Sequence, residues 1–197
     1  MGESERKERN GRRVHSFGDG ATWAEEDKAG WGLVMMKRTE EGKAEEIKVV
    51  KGRVAGKQSN DAAETTAILQ ALLNTNPRDE LTIYCDNQGC IDIWNKIHKA
   101  GIVEIESQNR AIWNRILGMV KHRKNVGNPA EIRWVHSHVD DEKRRKNVSK
   151  AKYRCACGGT TECTRPGEEE HWVHVGNERA DEEAKEGQTE PDRQLSK

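Results

Sequence analysis

Short apolar-rich stretches bounded by glycine and acidic turns fill the first part of the chain, and beyond residue 60 the spacing of apolar positions lengthens from that of a strand to that of a helix. Residues 14–19 read as a first strand ending in Gly18-Asp19-Gly20, a turn signal. Residues 29–37, with Trp31, Leu33, Val34, Met35 and Met36, read as a second, and Glu40-Glu41-Gly42 turns the chain into a third around residues 47–54. Three strands joined by short loops imply an antiparallel meander. Ala63, Ala67, Ile68, Ala71 and Leu72 then recur at helical spacing, and that helix stops before Asn76-Pro77. A short strand at 81–85, helices at 88–98 and 108–121, a fifth strand at 132–138 and a last helix at 178–185 complete the order. Later strands added through helical crossovers make the fold α/β: a mixed five-stranded sheet, antiparallel meander plus parallel strands, flanked by helices.

Composition narrows the architecture. At 197 residues the natural reading is one core domain, residues 14–185, with charged tails at 1–13 and 186–197 that are expected to be disordered. Charged residues (35%) outnumber hydrophobic ones (33%), which implies a compact core plus exposed tails or a large solvated insertion. No apolar run approaches a membrane span, the opening residues lack the apolar segment of a secretory signal, and Arg6 breaks the myristoylation pattern. The expectation is a soluble intracellular monomer with no membrane partner. A net charge of zero neither supports nor excludes a nucleic-acid partner. Basic runs at 121–124 and 143–146, the second continued by Lys150, Lys152 and Arg154, serve equally as solvated faces or as phosphate contacts.

Four carboxylates carry the candidate chemistry. Asp19, Glu64, Asp86 and Asp181 each fall at a strand end or near a helix start, where they can meet at a shared edge. Magnesium prefers carboxylate oxygen and water and binds through a few side chains plus substrate phosphate, so such a cluster suits phosphoryl chemistry. Each acid also has a plainer explanation. Asp19 precedes glycine as turn residues do, Glu64 follows Asp61 at capping-box spacing, Asp86 suits a helix cap, and Asp181 favours the dipole of the last helix. The cysteines divide in two. Cys85 and Cys90 are expected near the core, whereas Cys155, Cys157 and Cys163 with His171 are compatible with a structural zinc site, and the odd total of five argues against a disulfide framework.

Phe17-Gly18-Asp19-Gly20, Ser59-Asn60-Asp61-Ala62-Ala63-Glu64, Cys85-Asp86-Asn87-Gln88, Trp134-Val135-His136-Ser137-His138 and Gly176-Asn177-Glu178-Arg179-Ala180-Asp181, in this order between the same elements, resemble ribonuclease H of type 1. The last segment is most similar to the versions carried by retroelements. The resemblance implies a metal-dependent endonuclease that cuts the RNA strand of RNA/DNA hybrids and leaves 5'-phosphate and 3'-hydroxyl ends. Two Mg2+ (or Mn2+) ions about 4 Å apart would sit at the scissile phosphate. It assigns Asp19 and Asp86 to both ions and Glu64 and Asp181 mainly to one each, and it places Asn60, Gln88 and Asn177 at the RNA strand and Asn109 near a phosphate of the DNA strand. Asn60 and Asn177 are also good helix N-caps. Asp61 departs from the usual second asparagine. The stretch 97–107 lacks a dense basic handle, so a reverse transcriptase or polymerase domain is the expected partner for grip on the hybrid. Residues 139–173 form an insertion that the resemblance does not cover. It leaves three candidates for a proton-shuttling histidine: His138, favoured by its strand context, with His171 and His174 nearer Asn177. His136 is a structural neighbour or a zinc ligand. A catalytically silent hybrid-binding scaffold is the alternative function, and a DNA-cutting relative such as an integrase or resolvase is the lesser enzymatic one.

Overall fold

In a computed structural model of the protein, the described residues are 11–38, 44–100, 109–135 and 172–190. The meander comprises β1 (Arg13–Trp23), β2 (Lys28–Arg38) and β3 (Ala44–Arg53), followed by α1 (Asn60–Leu73), β4 (Glu80–Cys85), α2 (Gln88–Ala100), α3 (Arg110–Asn125), β5 (Glu131–Trp134) and α4 (Trp172–Gly187). The sheet order is β3-β2-β1-β4-β5. β1 runs antiparallel to β2 and β2 to β3, while β4 is parallel to both β1 and β5. This is the mixed five-stranded sheet that the periodicity and the crossover helices predict.

Several boundaries differ from the sequence reading for identifiable reasons. β1 does not turn at Gly18-Asp19-Gly20; it stays in register with β2 as far as Trp23↔Lys28, and the chain reverses through a 3-10 turn at Ala24–Glu26 and at Asp27, whose φ is 46°. The two glycines serve packing instead. Among the described residues ladder pairing runs to Trp134, and the Val135 N–H also donates to the Cys85 carbonyl at 3.0 Å; the rest of the expected strand, 136–138, lies outside the described residues. α4 begins at Trp172 rather than 178, so Asn177 lies inside the helix, and its helical span reaches Gly187, past the expected domain limit. The favoured His138, its neighbour His136 and the zinc candidates Cys155, Cys157, Cys163 and His171 lie outside the described residues, as does the side chain of His174. Among the described residues no helix is long and apolar enough to cross a membrane.

Alternation along the strands builds two cores. Val14, Leu33, Met35 and Ile83 face α1, α2 and α3, whose Trp94, Ile97, Trp113 and Ile116 complete the larger one. Phe17, Val34, Met36 and Tyr84 face the other way, toward Val173 and Ala180 of α4. Each fully buried large side chain here contributes roughly 1.5–3 kcal/mol. Arg123, within the basic run 121–124, is not a phosphate contact but a fully buried strut. Its guanidinium donates to the carbonyls of Asn76 (3.2 Å) and Asp79, and Asn128 donates to those of Pro77 and Asp79, which fixes the chain where it enters β4.

Candidate active site

β1 and β4 pair in parallel as far as the rung Phe17↔Tyr84, whose rings stack 4.7 Å apart. Two residues beyond that rung on each strand stand Asp19 and Asp86, so neighbouring strands deliver two acids to one edge of the sheet. Asp86 is not the cap of α2. That task falls to Asn87, whose Oδ1 accepts from the Cys90 N–H at 3.2 Å, so the Asp86 carboxylate is left to line the cavity.

Glu64 arrives from α1. The helix is capped by Ser59, whose Oγ accepts from the Ala62 N–H, so Glu64 stands beyond capping reach and the capping-box explanation fails. α1 approaches β1 closely because Gly18 and Gly20 face it: a Cβ at Gly20 would lie 2.7 Å from Ala63 Cβ and 2.9 Å from the Glu64 backbone nitrogen. Asp181 arrives from α4 on the opposite face, again over glycines. A Cβ at Gly30 or Gly32 of β2 would lie 2.4 Å from backbone atoms of Ala184.

The four acids share a cavity of about 300 Å3, with Asn60 and Asn87 in its wall. One oxygen from each of Asp19, Glu64 and Asp86 lies within 4.8 Å of the others. Asp181 borders the same space but is held by Lys185, one turn on, at 2.5 Å. Burial pushes the Glu64 carboxyl well above the ordinary carboxylate range, and the charges of Asp19 and Asp86 push it further. Burial, then the nearby Asp86, raises Asp19 to about 7, opposed by hydrogen bonds from Glu64 and from the Gly20 N–H at 2.7 Å. Among the described residues, Glu64 Oε2 is buried with no hydrogen-bond partner. Three carboxylates this close cannot all ionise without a cation. An orphaned buried oxygen amid hard, oxygen-only donors fits a divalent ion such as Mg2+, held by Asp19, Glu64 and Asp86 with Asp181 at the side.

The remaining candidates separate. Asn60 lines the cavity as the first residue of α1, one position after the true cap. Asn177 is not a cap either: it is buried one turn before Asp181, and its Oδ1 has no hydrogen-bond partner. Gln88 is exposed, its amide donating to Asp92 at 2.9 Å, and Asn109 is the N-cap residue of α3; neither lines the cavity. Asn87 is the wall residue that sequence reasoning passed over, although an asparagine directly before a helical stretch is itself a capping signal. Cys85 and Cys90 are buried free thiols of the larger core; the Cys85 thiol donates to the Asn87 carbonyl at 3.7 Å, and Cys90 Sγ lies 3.8 Å from Thr65 Oγ1.

Comparison with curated protein sequences finds no match. Among solved structures, the solution structure of the PFV RNase H domain shares the fold at 16% identity and a TM-score of 0.54, covering 90% of this chain and 93% of that one. The crystal structure of the prototype foamy virus protease-reverse transcriptase gives 14% identity and a TM-score of 0.57 over 92% of this chain, which spans only 21% of that longer protein. The family model described as RNase H matches residues 11–150, a stretch that carries β1 through β5 and three of the four acids. With that match joined to the sheet order and to acids within β1 and directly after β4, the chain belongs to the RNase H family.

Proposed function

We propose that this chain hydrolyses the RNA strand of RNA/DNA hybrids by a metal-dependent endonuclease reaction that leaves 5'-phosphate and 3'-hydroxyl ends. The observation that carries the reading is the convergence of four carboxylates from four separate elements on one cavity, with Glu64 Oε2 buried and unpartnered. A surface acid costs little; several buried together are maintained only against a matching cation. Bound Mg2+ would supply Lewis-acid neutralisation of the scissile phosphate.

The chain's own residues do the rest. Asp19, Glu64 and Asp86 supply the hard oxygen donors, and a cation held among them would relieve the burial and mutual repulsion that raise the Asp19 and Glu64 carboxyls. Lys185 keeps Asp181 neutralised at the cavity border until substrate and cation compete for it. Asn60 and Asn87 offer neutral amide donors, suited to sugar and base edges in the shallow groove of a hybrid. The working setting is intracellular, beside a reverse transcriptase or polymerase domain that adds the grip on the hybrid which the stretch 97–107, with no dense basic handle, does not supply.

The test uses the full chain with labelled RNA/DNA hybrid, duplex DNA and duplex RNA, in Mg2+ and in EDTA. The expected result is Mg2+-dependent cutting of the RNA strand of the hybrid alone. Hybrid binding without cutting in either Mg2+ or Mn2+ would replace this reading with a silent scaffold.

A further inference from the structure

We infer that Lys51 and Glu183 are positioning residues for Asp181: their ion pair sets the roll of α4 over the sheet and so aims the fourth acid at the cavity. The inference rests on the metal-dependent reading above and assigns a role in it to residues outside the acidic cluster.

A single rung crosses the whole meander, because Gly32 of β2 is opposed by Asp19 of β1 on one side and by Lys51 of β3 on the other. Residues opposed on a rung share a face of the sheet, so the acid, the glycine and the lysine all look toward α4. The helix lies directly on the glycine. A Cβ at Gly32 would come 2.4 Å from the Ala184 backbone nitrogen and 2.5 Å from the Ala180 carbonyl oxygen. Bare strand backbone lets the helix approach closely but offers it no side chain to interlock with, so this contact fixes distance more firmly than rotation. Rotation decides where Asp181 points. Asp181 and Glu183 stand two positions apart, about 200° around the helix. They leave it on opposite flanks, Asp181 toward Asp19 and the cavity, Glu183 toward Lys51.

Lys51 Nζ stands 3.0 Å from Glu183 Oε2 and also pairs with Glu186, one turn further along α4. Arg179, one turn back, pairs with Glu183 Oε1 and reaches Glu46 of β3 at 3.7 Å. Of these acids Glu183 is the buried one, its side chain 5% exposed, whereas Glu46 and Glu186 are open to water. Its link to Lys51 is therefore the least screened tie between α4 and the far edge of the meander. Burial opposes ionisation of Glu183, yet Lys51 and Arg179 hold its carboxyl below the ordinary range, so the charge is kept. With the pair on one flank of the glycine and Asp181 on the other, any roll that moves Asp181 off the cavity must stretch the pair.

The experiment uses the full chain and reads Mn2+ binding to the free protein by electron paramagnetic resonance, which requires no cutting. Lys51→Ala and Glu183→Gln should each weaken Mn2+ binding about tenfold, as loss of a group that orients a metal ligand does. The Mg2+ concentration for half-maximal hybrid cleavage should rise by a similar factor, while KM for the hybrid at saturating Mg2+ stays the same. Lys51→Arg keeps the charge and the reach, and should recover most of the affinity. Should Glu183→Gln fail to fold, Lys51→Ala, on the more exposed partner, decides alone. Mn2+ binding within about twofold of the unaltered protein, alongside a lowered urea midpoint, would show a purely structural tie and overturn the inference. Weakened binding that Lys51→Arg leaves unrecovered would overturn it too. Unaltered protein that binds Mn2+ without cutting hybrid would sink the nuclease reading alone, since the Mn2+ affinities of the variants would still decide the pair. No Mn2+ binding by the unaltered protein would overturn both.

Discussion

α1 and α4 grip opposite faces of the same sheet by the same device, a helix of small residues laid over strand glycines, yet they deliver their acids in opposite electrostatic states. Glu64 on α1 is buried, with no counter-charge given for it among the described residues, and burial with the nearby acids raises its carboxyl well above the ordinary range. Asp181 on α4 is also buried, though somewhat less, and is paired with Lys185. The difference teaches that closeness of acids alone does not define a cation site. Among the described residues, an ion pair is given for Asp181 and none for Asp19 or Glu64, so the two sides of the cavity differ.

The largest effect should come from removing one oxygen donor at the side of Asp19 and Glu64. Asp86→Asn should reduce hybrid cleavage on the order of a thousandfold, roughly 4 kcal/mol of transition-state stabilisation, with no loss of thermal stability in EDTA. Retained turnover in a steady-state assay would remove Asp86 from the ligand set. Next come the glycines. Gly20→Val and Gly30→Val should each destabilise the fold by about 1–3 kcal/mol in urea titration, because the added atoms meet helix backbone. Only Gly20→Val, which displaces Glu64, should also abolish the rise in melting temperature on adding Mg2+. Loss of that rise in both variants would erase the contrast between the two helices.

The pH dependence is smaller. With Asp19 raised to about 7, its neutral form supports the metal-free fold fully below the ordinary value of 3.8, and that support is lost as pH rises through 7. Cation binding runs the other way, since it needs the ionised carboxylates. Mg2+ affinity read by thermal shift should weaken by up to roughly tenfold for each pH unit below 7 and level off above it. A flat profile would mean that Asp19 is already ionised in the metal-free protein. Glu64→Gln should raise the EDTA-state melting temperature near pH 8 by a few degrees, about 1 kcal/mol, and remove the Mg2+ response. The smallest effect belongs to the paired side: Lys185→Ala should change stability by no more than about 0.5 kcal/mol because its ammonium is largely exposed. A larger loss in urea titration would show that Asp181 depends on its lysine more than the geometry allows.

Much of this was legible because strand and helix write different periods into the chain. The meander, the α1 repeat and the mixed character of the sheet follow from that change of spacing, and the four acids were visible as a set. Asp19 was harder to place within its element. Gly18 and Gly20 look like a turn from their own neighbours, and only the approach of α1, some forty residues later, shows that they clear space for a helix while the strand continues. Asn177 misled in the same way: an asparagine ahead of an acidic stretch resembles a cap, but α4 starts earlier on Trp172, and the side chain ends up buried. Arg123 read as part of a basic surface because local sequence does not reveal two backbone carbonyls waiting for it before β4, those of Asn76 and Asp79. The roles of Gln88 and Asn109 came from resemblance rather than from residue pattern, and the structure puts both outside the cavity wall.

The rung that sets Asp19 beside Asp86 joins strands whose paired residues stand 67 positions apart, as in Arg13 with Glu80. Local elements such as the β1 to β3 meander and α1 form from neighbours in sequence, but this parallel pairing must first close a long loop, which is a slow step in folding. A growing chain therefore acquires its scaffold before its chemistry. Asp86 joins Asp19 and Glu64 only once β4 has emerged and docked, and the fourth acid arrives only with α4, so the acidic cavity is assembled last.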